Sequence, residues 1–124
     1  MSAENPQDQF HVERHGEIAV VIPSAKVEEL PDTLIHQAAK MVISSLREDP
    51  PAGIIMDLSK VNYFGSTFVS FLLKCYKYAK EQGSEFVLAG ASQPALELIK
   101  LLDLETLWAL YDTRKEALDA LSGD

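Results

Sequence analysis

One cysteine, three histidines and eleven basic residues among 124 leave several classes of protein without material. Cys75 has no partner for an internal disulfide and falls inside an apolar helical pattern, so a reduced, cytoplasmic setting is expected. No metal site is expected, because no second cysteine or nearby histidine stands beside Cys75, and His11, His15 and His36 are scattered. No apolar run approaches the roughly 20 residues that cross a bilayer, which excludes membrane insertion. The opening MSAENPQDQF lacks the basic and apolar regions of a secretion signal. Nineteen acidic residues against eleven basic ones leave a formal charge of −8, which argues against nucleic acid or an anionic membrane as main partner. There is no Gly-rich phosphate loop, no Ser-His-Asp order, no Cys/His cluster and no internal repeat. No catalytic constellation and no cofactor are therefore expected.

What is present is apolar material in a regular order. At 47% hydrophobic, the chain has enough for the core of one compact domain. Residues 1–9 read as a flexible N-terminus, 10–121 as the domain and 122–124 as a tail. Weak alternation over 10–15, a Gly16-Glu17 turn and the apolar run 18–22 predict a hairpin stopped by Pro23. Helical spacing of Ile35, Ala38, Ala39, Val42 and Leu46 predicts a helix from about Pro31-Asp32 to Arg47, ended by Pro50-Pro51. Residues 54–58 and 86–89 read as buried strands. Between them, a helix over 66–82 buries Phe68, Phe71, Leu72, Cys75 and Ala79, and Gly83 stops it. Ser92 caps a further helix over 93–102, with Leu96, Ile99 and Leu102 inward. A strand over 107–111 and a helix over 114–121, started by Asp112-Thr113, complete the chain. The order ββαβαβαβα predicts an α/β fold with a single mixed, mainly parallel sheet of about five strands and helices packed against it.

The strand–turn–helix–strand stretch over 53–90 carries the functional signal. Its helix opens on a hydroxyl pair, Ser66 and Thr67, where free N–H groups favour negative charge and tolerate a phosphate. From spacing alone, Ser66 reads as the helix N-cap. Asp57, at the end of a central strand, reads as a carboxylate bonding turn amides, with a catalytic role as the alternative. Lys74, Lys77 and Lys80 form either a solvated face or a positive ridge for an acidic partner. Val69, Leu73 and Tyr76 share the Ser66 side of the helix, away from Phe68, Leu72 and Cys75. Either a second layer covers them, or they form a patch for a partner.

The run Asp57-Leu58-Ser59-Lys60-Val61-Asn62-Tyr63-Phe64-Gly65-Ser66-Thr67 resembles the signature of the STAS domain family. Gly65 stands where that signature has Asp, and Phe68 where it has Gly. The ending from Leu107 to Leu118 is similar to the family's last strand and short helix. The resemblance covers about residues 10–121 and is to the anti-sigma factor antagonist type. It implies a regulatory protein, not an enzyme, switched by phosphorylation by a partner that is both serine kinase and anti-sigma factor, with a phosphatase to reset it. Ser66 becomes the phosphoryl acceptor and Thr67 a second one. The partner-binding residues are then Ser66, Val69, Leu73, Tyr76 and Lys77. The alternative is an unphosphorylated STAS interaction or scaffold module in a signalling or transport-associated complex. Partner identity and oligomeric state stay open at this level.

Overall fold

The computed structural model describes residues 9–123. The expected flexible segment 1–9 lies outside the described residues except for Gln9. That residue is buried: its Oε1 accepts the Ser24 hydroxyl at 2.5 Å, and its carbonyl accepts the Ser24 N–H at 2.8 Å.

Strands β1 (Phe10–His15) and β2 (Ile18–Pro23) form the hairpin, with His15 opposite Ile18. Gly16 at φ 61° supplies the positive dihedral that a two-residue hairpin turn requires. Pro23 does not stop β2 but closes it, opposite Phe10. It can do so because the β2–β3 ladder ends at Val21, so no bond is asked of the proline nitrogen on that side.

There follow α1 (Asp32–Arg47), β3 (Gly53–Asp57), α2 (Ser66–Gln82), β4 (Glu85–Ala89), α3 (Gln93–Leu101), β5 (Ala109–Tyr111) and α4 (Arg114–Leu121). The strands lie in the order β1-β2-β3-β4-β5. β1 and β2 are antiparallel, and every other neighbouring pair is parallel, β3 to β4 in the register Ile54↔Phe86. Gly83 ends α2 in the left-handed region at φ 74° and returns its N–H to the Ala79 and Lys80 carbonyls.

Alternation along the strands divides the apolar residues between two faces. Ala19, Val21, Ile54, Met56, Phe86 and Leu88 join the large core beneath α1, α2 and α3. Phe68 sits in that core between Phe64 and Phe71, with ring centroids 5.3 and 5.6 Å away. Ile18, Val20, Ile22, Ile55, Val87 and Ala89 form a second, smaller core with Ala117 of α4. Burial on both faces is why β2 and β3 read as unbroken apolar runs.

Differences from expectation gather where short turns interrupt the pattern. Two 3-10 turns, Val27–Glu29 and Leu104–Thr106, have no sequence forecast. The second shortens β5, because the Leu107 and Trp108 N–H groups bond the Leu104 carbonyl. On α3, Ile99 is buried as expected and Leu96 is half-buried, but Leu102 is 47% exposed. Ala95 takes the inward position instead, because the helix ends before Leu102 can turn under.

Candidate functional site

The site forms where β3 ends and α2 begins, and its foundation is ionic. Asp57 is buried. One of its oxygens accepts the Ser59 N–H at 2.9 Å, and the other pairs with Arg114 Nε of α4 at 2.8 Å. The same guanidinium reaches Glu13 of β1 at 3.0 Å. A hydrogen bond from His15 holds the Glu13 carboxyl below its ordinary value, and Arg114 adds to the effect. The turn-bonding role expected of Asp57 is present, and its partner Arg114, 57 residues away, had no sequence signal. Gly90, at φ 73°, packs close enough that an added Cβ would lie 3.1 Å from the Asp57 carboxylate.

From that anchor the connecting loop is pinned to the core. The Leu58 N–H bonds the Ala89 carbonyl at 2.8 Å, and Leu58, Val61 and Phe64 are buried. Their burial forces the intervening residues outward: Tyr63 is 59% exposed, and Gly65 and Ser66 are exposed.

Ser66 is the first residue of α2 and not its cap. Gly65 occupies the N-cap position, and no side chain accepts a hydrogen bond there. The cap expectation fails because the helix starts one residue earlier than a Ser66 cap would need. The first N–H groups of a 17-residue helix therefore meet no side-chain acceptor, and the macrodipole concentrates positive potential beside the Ser66 hydroxyl. Thr67 is engaged elsewhere. Its hydroxyl donates to Asp32 Oδ1 of α1 at 2.7 Å and braces the two helices.

Ser66 stands on a ridge between two hollows. One, of about 250 Å³, is lined by Val27, Glu28, Asp32, Gly65 and Thr67 and carries two carboxylates. The other, of about 280 Å³, is apolar and formed by Tyr63, Phe64, Val69, Leu98 and Leu102.

The five residues expected to share a partner-binding face divide between two sides of α2. Ser66 and Val69 lie together at the apolar hollow, and Leu73 is 40% exposed. Tyr76 is half-buried, not an exposed anchor; its ring packs 5.5 Å from Trp108 and 5.9 Å from Phe86. Lys77 lines a separate groove against α1. Sequence reasoning missed Tyr63, Leu98 and Leu102, although a leucine recurring beyond the inward stripe of α3 was a usable signal. Glu28 and Asp32 had none, since only the docking of α1 brings them beside Ser66.

Among the described residues, no group of three or more His, Cys, Asp or Glu is placed to hold a metal, and no helix is long and apolar enough to cross a membrane. Burial pushes the Cys75 thiol up to about 12, which keeps it protonated and unreactive.

A hairpin leading a parallel sheet, with an exposed Ser-Thr start to the helix after the central strand, defines a class of small α/β domain. The STAS domain family model matches residues 12–117, and the chain belongs to that family. It is similar to an anti-sigma-factor antagonist (STAS) domain protein from Planctomyces limnophilus, at 27% identity and TM-score 0.78, over 91% of this chain and 97% of the other. It is also similar to an anti-sigma factor antagonist from Mycobacterium paratuberculosis, at 28% identity and TM-score 0.72, over 91% of this chain and 92% of the other. A Thermotoga maritima protein at 19% identity shares the fold, with TM-score 0.80 over 95% of this chain and 98% of that one.

Proposed function

We propose that this chain is a cytoplasmic regulatory protein of the anti-sigma factor antagonist type, switched by phosphorylation of Ser66 by a partner serine kinase that is also an anti-sigma factor. It acts by binding and not by catalysis. The observation that carries this reading is the exposed Ser66 at the uncapped N-terminus of α2. An approaching kinase reaches the hydroxyl without unfolding anything, and unpaired helix N–H groups favour the charge that phosphorylation adds. The likeness to two proteins named as antagonists, at 27% and 28% identity, supports the same role. In the unmodified state the apolar hollow beside Ser66 meets the partner. In the modified state about −1.5 to −2 charges stand at the rim of that hollow, and the partner is released until a phosphatase restores it. Thr67 is the weaker acceptor, because its hydroxyl already serves Asp32.

A second reading has its own support. Glu28 and Asp32 line the hollow on the other side of Ser66, so a phosphate there meets two carboxylates. That arrangement favours an unmodified scaffold or interaction module using the same face. Affinities of Ser66→Ala and Ser66→Asp for the kinase captured from the source cells separate the two. Under the switch reading, Ser66→Ala binds and escapes control, whereas Ser66→Asp binds at least tenfold more weakly, a loss of about 1.4 kcal/mol. Equal binding by both variants, with no phosphate found on Ser66 or Thr67 in cells, leaves the scaffold.

A further inference from the structure

Away from Ser66, the groove between α1 and α2 gathers charge of the sign this protein otherwise lacks. Four of its eleven basic residues, Lys40, Arg47, Lys74 and Lys77, line one hollow of about 320 Å³. Glu81 is the one carboxylate in that lining, and no ion pair among the described residues engages any of the four cations. Two further groups in the lining have unmet bonding capacity. Tyr78 is 2% exposed, yet its hydroxyl has no hydrogen-bond partner, and neither has the buried Nδ1 of His36. A buried hydroxyl without a partner is unfavourable, so a ligand that satisfies it gains what the free protein forgoes. Arg47 is held in place by its stack on the Tyr78 ring, 5.2 Å from the centroid, which leaves its guanidinium edge free to donate.

We propose that this groove binds a small phosphate-bearing anion. Arg47 supplies the two-pronged donor that matches phosphate oxygens, while Lys40, Lys74 and Lys77 neutralise the remaining charge. The Tyr78 hydroxyl, covered in the free protein, comes within reach when the side chains over it give way to the anion. The number of cations exceeds what one carboxylate would need and suits two linked phosphoryl groups. The overall charge of −8 does not oppose this, because at physiological salt the Debye length is about 8 Å and the local lysines dominate the field. The site is independent of Ser66, and its occupancy does not depend on the phosphorylation reading.

Inorganic pyrophosphate titrated into the whole protein, followed by amide and side-chain NMR, tests the proposal. Saturable binding that shifts the signals of Tyr78, His36 and Arg47 is expected. Arg47→Gln combined with Lys77→Gln should weaken it at least tenfold, Tyr78→Phe should weaken it several-fold while keeping the ring stack, and Lys100→Gln on α3 should leave it unchanged. The proposal is overturned by no saturable binding or by equal losses in Lys100→Gln. Shifts confined to the Ser66–Phe68 amides, which would mean phosphate at the α2 N-terminus instead, also overturn it. A glutamate-rich peptide that binds the groove when pyrophosphate does not would reassign it to an acidic protein segment.

Discussion

At the scale of single residues, Asp57 and Cys75 set the terms for everything around them. Asp57 is the one buried carboxylate among the described residues, and Arg114 makes its burial tolerable. Arg114→Ala leaves that charge unpaired. We expect a loss of about 2 kcal/mol, below the usual cost for a fully buried pair because the guanidinium is 34% exposed. The urea midpoint checks this, and an Asp57→Asn, Arg114→Ala double variant should lose less than the two single changes added together. Cys75 makes a prediction about pH. Its folded-state value of about 12 lies above the ordinary 9.0, so between those values the unfolded chain releases a proton that the folded one keeps. Stability is full below pH 9 and falls as pH rises toward 12. At pH 8 the native thiol should resist a thiol reagent until denaturant is added; rapid labelling of the folded protein would refute its burial.

At the scale of elements, α2 shows how a helix serves three neighbours at once. Phe68, Phe71, Leu72, Cys75 and Ala79 recur at helical spacing, so the buried face was legible in the sequence, and only Tyr78 was missed there. The two flanks were not legible. Helical spacing places residues on a side, but whether that side meets α1, Trp108 or solvent depends on what docks there. Tyr76 and Lys77 are adjacent in sequence, yet one packs on Trp108 and the other lines the α1 groove. The uncapped start of α2 leads to a further prediction. Nothing lies within 4 Å of a Cβ added at Gly65, whose φ of −113° suits any residue. Gly65→Asp should therefore cap α2 and stabilise the protein by about 0.5 kcal/mol, seen as a small rise in Tm. The same carboxylate beside Ser66 would stand where the family signature has Asp; under the phosphorylation switch proposed above, phosphoryl transfer to Ser66 should then quicken.

At the scale of the whole molecule, the sheet has one face under three helices and the other under α4 alone. That eight-residue helix is held by Thr113, which accepts the Glu116 N–H at 3.1 Å, and by the Arg114 bridge to Asp57. A chain ending at Thr113 would lose the cover over Ile55, Val87 and Ala89 together with that bridge. Each large apolar side chain returned to water costs about 1.5–3 kcal/mol, so the truncated protein should bind a hydrophobic dye and lose cooperative unfolding. Unchanged thermal unfolding would mean that the second face needs no cover.

The order of elements, the hairpin, the parallel pairing of β3 with β4 and most of the buried residues follow from local pattern. Apolar period, turn glycines and helix stops act over a few residues, and the sequence displays them directly. The position of Ser66 at the start of α2 was also legible, because Gly65 and the preceding apolar strand announce that turn. Tertiary structure alone decided the rest: the Asp57–Arg114 bridge, the Asp32 brace on Thr67, the carboxylates beside Ser66, and four cations converging between α1 and α2. Each of these joins residues far apart in the chain through side chains whose meeting depends on how helices settle on the sheet. Charged and polar surface residues carry no periodic signature of their partners, so their company is determined only when the apolar faces have packed.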